Sequence, residues 1–348
     1  MGGSRSGERA RKRVLLGLVP GVAVVGASVA AELRHRSALK ADPVGKLLDA
    51  PLAGDVSAVS SPDGTALHVE AFGPDDAPTI VLVPGWTEPL QIWDLLTRGL
   101  LGRGFRVVSF DLRGQGRSGP AVDDDYAIAR FGEDVEAVLA AACGGRDDVI
   151  LAGHSMGGMS IMAWAGAFDA AARVRAAALI NTGAVGLIAA STVLPVTLPP
   201  QVRRELAVKL VLTGGPPPAL STPVSRAIAR RMAFGPDASP AMVAMVERMT
   251  WEAPVKSKIA AGQTLENLDV TAGVARLNVP TLVVAGDHDR LTPVSLAQEL
   301  VETLPRLADF MLIERMGHMG PLERPDAIED ALVRLASGVG IESGLGTG

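Results

Sequence analysis

The sequence of 348 residues is poor in cysteine, histidine and aromatic residues, and it carries no excess of positive charge. Its one cysteine, Cys143, excludes an internal disulfide and leaves the redox compartment open. No histidines and cysteines have the spacing of a zinc site, so we predict no structural metal. The net charge of −5 argues against a nucleic-acid partner, because nothing resembles a basic footprint. What remains is typical of a globular protein, with 48% hydrophobic and 20% charged residues.

One long uncharged run lies near the N-terminus, the stretch "VLLGLVPGVAVVGASVAA" over residues 14–31. As a helix it would reach about 27 Å, close to the ~30 Å hydrocarbon core of a bilayer. It fits an uncleaved membrane anchor, and it also fits a secretory signal in which Ser28 and Ala30 precede the cleavage point. Five Lys and Arg residues precede the run and three follow it closely. This asymmetry favours a position outside the plasma membrane for the rest of the chain.

Short apolar runs alternate with helical patterns from residue 56 onwards. The stretch over 56–73 predicts a hairpin that turns at Pro62, Asp63 and Gly64. The runs "TIVLVPG", "FRVVSFD", "DVILAG", "AAALINT" and "TLVVAGD" are typical of strands buried on both faces. Helical stretches separate most of these runs, so we predict an α/β fold: a mostly parallel sheet covered by helices on both faces.

The alternation stops between about Ala184 and Glu266, where ten of the 24 prolines lie between Pro195 and Pro254. No strand-like run occurs there, which predicts a helical cap inserted over the C-terminal edge of the sheet, where such sheets bind ligands. The predicted organisation is a membrane segment (1–31), a linker (32–55), a first part of the α/β core (56–183), the cap (184–266), a second part of the core (267–338) and a disordered tail (339–348).

The stretch "LAGHSMGGMS", residues 151–160, places Ser155 among glycines directly after a buried strand. Serine and glycine are common turn residues, so an ordinary strand exit is one interpretation. The other is a tight strand-to-helix turn that presents the hydroxyl of Ser155 as a nucleophile. A serine nucleophile needs a base, a group that orients the base, and hydrogen-bond donors for an oxyanion.

Elimination among the five histidines favours His318 as the base. The other four are His35 in the N-terminal segment, His68 in the first hairpin, His154 directly before Ser155 and His288 at a strand end. His318 lies in a glycine-flanked loop after the strand-like run "ADFMLIE". Asp287 and Asp289 both follow one buried strand, and their side chains project the same way while it stays extended. Asp289 lies further past the strand end, towards the serine turn, and is therefore the preferred acid.

The order Ser155, Asp289, His318 is the order of the triad on an α/β-hydrolase sheet. With the motifs "PGWTEPLQIWD", "DLRGQGRS", "GHSMGG", "GDHDRLTP" and "GHMGPLERP", roughly residues 56–338 resemble the α/β-hydrolase superfamily, specifically its esterase, lipase and cofactor-free haloperoxidase-like members. The resemblance implies that Ser155 is the nucleophile, His318 the base and Asp289 the acid. It implies an oxyanion hole made by the backbone N–H groups of Trp86 and Met156, and no cofactor or metal.

One motif departs from the family, which usually has His-Gly where this chain has Pro84-Gly85. Proline lacks an N–H, but the implied donor is Trp86, so we expect the oxyanion hole to persist. The local hydrogen bonding that the histidine would supply is left open. Asp111 and Arg113 in "DLRGQGRS" are expected to be structural.

The resemblance implies a serine hydrolase that cleaves a carboxylic ester, or a related acyl bond, through an acyl-enzyme. Epoxide hydrolases and haloalkane dehalogenases of this fold carry aspartate at the elbow, so Ser155 excludes them. Carbon–carbon bond hydrolysis and perhydrolysis use the same triad and stay open. A non-catalytic binding scaffold is disfavoured, because no triad residue or elbow glycine is missing. The proline- and methionine-rich cap indicates a small-molecule substrate with an apolar acyl or alkyl group.

Overall fold

The chain is described by a computed structural model over residues 31–193, 199, 201–202, 205–206, 221–342 and 344. The predicted membrane segment 14–31 therefore lies outside the described residues except for Ala31, as do residues 343 and 345–348 of the predicted tail. In the part of the chain that is described, no helix is both long enough and apolar enough to span a membrane.

An eight-stranded sheet forms the centre of the fold, in the order β1-β2-β4-β3-β5-β6-β7-β8. The strands are β1 (Asp55–Ser60), β2 (Ala66–Phe72), β3 (Thr79–Val83), β4 (Arg106–Phe110), β5 (Val149–His154), β6 (Ala176–Ile180), β7 (Thr281–Gly286) and β8 (Leu307–Ile313). β1 pairs antiparallel with β2, and β2 antiparallel with β4, whereas every other pairing is parallel. The predicted hairpin and the mostly parallel sheet are both confirmed.

Helices cover both faces of this sheet. Besides a helix over residues 31–41, the helices of the described residues are α1 (Pro43–Leu48), α2 (Asp94–Gly102), α3 (Ile128–Cys143), α4 (Met156–Ala167), α5 (Leu187–Ala190), α6 (Pro223–Ala233), α7 (Pro240–Glu252), α8 (Val255–Glu266), α9 (Thr271–Arg276), α10 (Val294–Thr303), α11 (Gly320–Glu323) and α12 (Pro325–Gly338). Because side chains alternate along a strand, Val81 and Val83 of β3 join the core under α3 and α10, while Ile80 and Leu82 join the core under α2 and α12. β3 to β7 are buried along their whole length, as their apolar runs predicted.

The region predicted as a cap is helical where it is described. It contains α5, α6, α7 and α8, and its described residues form no named strand. The side chain of Ser239 accepts from the N–H of Met242, and Pro240 occupies the first turn, which explains why α7 begins there. Met242, Met245 and Met249 of α7 are buried in the core shared with α2 and α12. These methionines are thus part of the core, and the division of the chain into a cap and a two-part hydrolase core stays a prediction.

The segment 32–55, predicted as a linker, is largely helical and is bonded to α7. Residues 31–41 form a helix, and α1 follows at Pro43. Asp42 caps α1 by accepting from the N–H of Val44 at 3.0 Å, and its second oxygen accepts from the N–H of Ala241 at 2.9 Å. The Asp42-Pro43 pair is a helix-start signal that the polar composition obscured.

Candidate active site

Ser155 is the one residue between the end of β5 and the start of α4. Its backbone has φ 51° and ψ −119°, a conformation that is strained for a residue with a side chain. The N–H of Ser155 donates to the carbonyl of Ile180 at 3.0 Å, and the hydroxyl of Thr182 donates to the carbonyl of Ser155 at 2.7 Å. These bonds to β6 and the segment after it hold the strained turn, which directs the Ser155 hydroxyl to the C-terminal edge of the sheet.

Three glycines make this turn possible by allowing close backbone contact. A Cβ atom on Gly157 would collide with the carbonyl oxygen of Val83 in β3. A Cβ atom on Gly153 would lie 2.6 Å from the carbonyl carbon of Gly157, and one on Gly158 would lie 2.7 Å from Cγ2 of Thr182. Each distance is shorter than any real carbon–carbon contact, so the glycines of "GHSMGG" are required by space.

The structure brings Ser155, His318 and Asp289 into one hydrogen-bonded chain. His318 Nε2 lies 3.0 Å from Ser155 Oγ, and His318 Nδ1 lies 2.9 Å from Asp289 Oδ2. A carboxylate only accepts, so Nδ1 carries the proton, and Nε2 of the neutral ring is free to accept from the serine hydroxyl. Burial favours the neutral acid of Asp289, but the neighbouring His318 and the bonds from Thr292 outweigh it and lower the pKa of Asp289. Asp289 is therefore ionised beside the imidazole.

The two aspartates of "GDHDRLTP" have separate surroundings. Asp289 is buried, and its Oδ1 accepts from the N–H groups of Leu291 at 2.9 Å and Thr292 at 2.8 Å. Asp287 is partly exposed and contacts His288 Nδ1 at 2.7 Å. Asp289, and not Asp287, is the aspartate beside His318.

The loop that carries His318 joins β8 to α11 and is fastened to α6 and the segment after it. The N–H of His318 donates to the carbonyl of Ala233, the last residue of α6, at 2.8 Å. Glu323 of α11 accepts from the N–H groups of Gly317 at 3.0 Å and Gly235 at 2.8 Å. The position of the imidazole therefore depends on α6 and the segment after it as well as on the sheet.

Two further residues hold the acid, and the sequence analysis did not name them. The side-chain amide of Asn181 donates to Asp289 Oδ2 at 3.0 Å and to the carbonyl of Gly317 at 3.1 Å. The hydroxyl of Thr292 donates to the same Asp289 oxygen at 2.6 Å. Asn181 follows β6, which lies in the sheet between β5, the strand before Ser155, and β7, the strand before Asp289. A polar residue at the end of this central strand was a signal in the sequence for a residue of the site.

The backbone N–H groups of Trp86 and Met156 are the expected oxyanion donors. Met156 is the first residue of α4, so its N–H has no partner within the helix and lies at the positive end of the helix dipole. Neither N–H donates to an acceptor among the described residues. The indole N–H of Trp86 donates to the carbonyl of Lys258 in α8 at 2.9 Å, which ties this loop to α8.

Glu88 supplies hydrogen bonds to the loop at Pro84, where the family usually has a histidine. Glu88 Oε2 accepts from the N–H of Gly85 at 2.6 Å and lies 2.8 Å from His154 Nδ1. A carboxylate four residues after Pro84 therefore holds the loop where the family usually has a histidine. The sequence analysis had no signal for this contact, because Glu88 and His154 are 66 residues apart.

The remaining motif residues are structural, as expected. Asp111 accepts from the N–H groups of Leu90 and Arg117, each at 2.7 Å. Arg113 forms ion pairs with Asp134 at 2.6 Å and with Asp63 at 2.7 Å, and it contacts no triad residue. These bonds fasten the "DLRGQGRS" turn to α3 and to the first hairpin.

Comparison with known proteins agrees with this architecture. A family model for the alpha/beta hydrolase fold matches residues 78–325, so the chain belongs to the α/β-hydrolase family. A non-heme haloperoxidase of Rhodococcus erythropolis is 28% identical over 270 residues, which cover 75% of this chain and 92% of that protein. A putative carbamate hydrolase of Variovorax paradoxus is 28% identical over 242 residues, 68% of this chain and 84% of that protein.

The solved structure of an esterase from Exiguobacterium antarcticum superimposes with a TM-score of 0.66. It covers 81% of this chain and 99% of the esterase at 19% identity, so it supports the fold. Family membership and these relatives identify the protein as a hydrolase of the α/β-hydrolase class.

Proposed function

We propose that the protein is a serine hydrolase that cleaves carboxylic esters through an acyl-enzyme intermediate. Ser155 is the nucleophile, His318 the general base and Asp289 the acid that orients it. The observation that carries this proposal is the hydrogen-bonded chain of Ser155 Oγ, the His318 ring and Asp289 Oδ2, at 3.0 and 2.9 Å. These contacts have the geometry that an activated serine requires.

The reaction follows from these contacts. As Ser155 Oγ attacks the ester carbonyl carbon, His318 Nε2 takes its proton, and the carbonyl oxygen becomes an oxyanion between the N–H groups of Trp86 and Met156. Asp289 stabilises the imidazolium, which then donates its proton to the leaving alkoxide as the carbon–oxygen bond breaks. In the second half His318 Nε2 takes a proton from water as the water oxygen attacks the acyl carbon. The imidazolium then returns this proton to Ser155 Oγ as the bond between Oγ and the acyl carbon breaks, which releases the carboxylic acid and free Ser155.

We propose an apolar acyl or alkyl group in the substrate. The methionines of α7 do not support this, because they are buried in the core. Support comes from Trp86, whose partly buried ring packs against the apolar core and whose indole bonds α8. An apolar side chain therefore lies directly at the oxyanion loop, next to α8.

Perhydrolysis of a carboxylic acid is the second candidate, since one relative is named a non-heme haloperoxidase. The same nucleophile and base would serve, with hydrogen peroxide in place of water as the attacking group. Carbon–carbon bond hydrolysis would also use this triad, but no contact in the site favours it. A binding scaffold without catalysis fits poorly, because the serine, base and acid are all present and in contact.

A panel of p-nitrophenyl esters, from acetate to palmitate, tests the proposal when each is assayed with Ser155→Ala as the matched control. We expect turnover that depends on Ser155 and rises with acyl length before it falls. Peroxide-dependent peracid formation, measured with the same two proteins, tests the second candidate. Ester turnover that survives Ser155→Ala, or none at all by a folded wild type, would contradict the proposed function.

We also propose that residues 14–31 target the protein to the membrane and that the hydrolase domain lies outside the plasma membrane. The support is the uncharged run itself and the positive charge that precedes it. Next to this run, Glu32 pairs with Arg226 of α6 at 2.8 Å. An anchor would therefore hold the cap, and the site beneath it, close to the bilayer.

A further inference from the structure

His154 takes no part in the proposed reaction, although it directly precedes the nucleophile. It is completely buried at the end of β5, with an edge contact to Trp93. Its Nδ1 lies 2.8 Å from Glu88 Oε2, and its Nε2 lies 2.7 Å from the backbone carbonyl of His318. A fully buried, doubly hydrogen-bonded imidazole between an acid and the base loop calls for a role of its own.

The protonation of this pair follows from its partners. The carbonyl of His318 can only accept, so Nε2 of His154 carries a proton. Nδ1 faces a carboxylate oxygen, so a second proton lies between His154 and Glu88. Burial favours the neutral imidazole, but the carboxylate of Glu88 outweighs it and raises the pKa of His154. The bonds on both sides of the ring are therefore charge-assisted and stronger than neutral ones.

Glu88 extends this contact to the oxyanion loop. The same Oε2 atom accepts from the N–H of Gly85, the residue before Trp86, at 2.6 Å. A Cβ atom on Gly85 would lie 2.7 Å from Glu88 Oε2, so the carboxylate fits only because residue 85 is glycine. Thr87 has φ 64° and donates its N–H to the side chain of Gln115, which fixes the turn on its other side.

We propose that Glu88 and His154 are positioning residues that hold the oxyanion loop and the base loop in register with Ser155. Glu88 accepts from the N–H of Gly85, the residue before the expected oxyanion donor Trp86. His154 directly precedes Ser155 in the chain and bonds the backbone carbonyl of His318. The His154 ring lies 4.9 Å from the His318 ring, and neither Glu88 nor His154 bonds Ser155 Oγ or the N–H of Trp86 or Met156, so the pair acts on the position of these groups. The expected change in kcat rests on the proposed function, whereas the expected change in the mobility of the two loops does not.

The size of the effect is limited by the other contacts of both loops. Loss of one oxyanion donor typically lowers kcat by about 10²- to 10³-fold, and a displacement of about 1 Å can cost ~10²-fold. The base loop keeps its bonds to Ala233 and Glu323, so the displacement is partial. We expect Glu88→Gln to lower kcat by about 10- to 100-fold with KM changed by less than about threefold, since the oxyanion forms only in the transition state.

The kinetic control is Asp134→Asn, which disrupts the buried ion pair with Arg113 away from the triad. It is expected to lower the melting temperature while kcat per folded enzyme stays near wild type. Glutamine at position 88 keeps an oxygen that can accept from both Gly85 and His154 but removes the negative charge, so both bonds lose their charge assistance and become weaker. A kcat for Glu88→Gln equal to that of Asp134→Asn would overturn the proposal.

Two substitutions of His154 separate the two bonds without relying on activity. Asparagine places an amide nitrogen near Nδ1 and can keep the bond to Glu88, whereas glutamine reaches the Nε2 position and can keep the bond to His318. Hydrogen exchange followed by mass spectrometry should show faster exchange in residues 314–320 for His154→Asn and in residues 84–90 for His154→Gln. Glu88→Gln should accelerate exchange in both segments.

The outcomes of this experiment are distinct. Unchanged exchange at 314–320 in both Glu88→Gln and His154→Asn would refute the positioning role, whatever the activity. If wild type shows no Ser155-dependent turnover but the exchange pattern is as expected, the proposed function is wrong and the positioning role of Glu88 and His154 is supported. If His154 variants do not fold, Glu88→Gln alone decides, because its substitution lies outside the segment 314–320 whose exchange is measured.

Discussion

Replacement of Asp289 by asparagine tests the acid directly, because the surrounding donors dictate how the new amide must lie. In the native site Oδ1 accepts from two backbone N–H groups, those of Leu291 and Thr292. Oδ2 faces the His318 ring, the Thr292 hydroxyl and the Asn181 amide. The asparagine oxygen is needed at the two backbone donors, so its NH₂ group faces His318 Nδ1.

This orientation reverses the tautomer of the base. Nδ1 of His318 must then accept, which moves the ring proton to Nε2, the atom that has to receive the proton of Ser155. A neutral ring of the wrong tautomer cannot act as base, and such a change typically lowers kcat by about 10⁴-fold, or about 5.4 kcal/mol in activation free energy. The fold should persist, since asparagine is isosteric with aspartate.

The measurement is kcat for Asp289→Asn on the best ester of the panel, with the melting temperature and circular dichroism of each variant as folding controls. Asp287→Asn is the matched control, because it alters a partly exposed carboxylate on the same loop, whose one side-chain partner among the described residues is His288. We expect its kcat to stay within about threefold of wild type, as for a surface substitution away from the site. Wild-type kcat in Asp289→Asn, or a large loss in Asp287→Asn alone, would refute the assignment.

Three other predictions concern labelling and topology. A fluorophosphonate should modify the folded protein once, at Ser155, because the base and the oxyanion donors activate this hydroxyl; peptide mapping that finds another site contradicts the assignment. Burial raises the pKa of the Cys143 thiol to about 11, so iodoacetamide should modify it only after denaturation, as intact-mass measurement would show. Protease shaving of intact cells should digest the hydrolase domain, whereas full protection or recovery in the cytosol would contradict the predicted orientation.

The parts of the fold that the sequence predicted are those with a local pattern. The five apolar runs were recognisable as buried strands because a strand that is covered on both faces carries apolar side chains on both of them. The order of the strands has no such local pattern, since β3 lies between β4 and β5 through crossover connections. The helices at 31–41 and Pro43–Leu48 were missed because they are polar, and their attachment to α7 through Asp42 is a contact over 199 residues.

The residues of the site likewise fall into those that a local sequence pattern predicted and those that it did not. Ser155, Asp289 and His318 each follow their own strand, so strand assignment was enough to place them at one sheet edge. Asn181 and Glu88 depend on partners 108 and 66 residues away, and no periodicity reports such a pair. The sequence shows that both residues are polar. Only the packing of neighbouring strand ends in the structure shows that they are buried, and a buried polar side chain is the one that needs a partner.

The change at Pro84 shows why a motif alone is an incomplete guide to a site. The sequence showed that the usual histidine is missing at Pro84 and left Trp86 as the expected oxyanion donor, but it did not show what holds the loop. In the structure, Glu88 occupies the space beside Gly85 and adds a bond to His154, so the loop is held from within and also from β5. Because this arrangement needs a glycine, an acid and a histidine together, replacement of Pro84 by histidine alone would not recreate the usual family geometry.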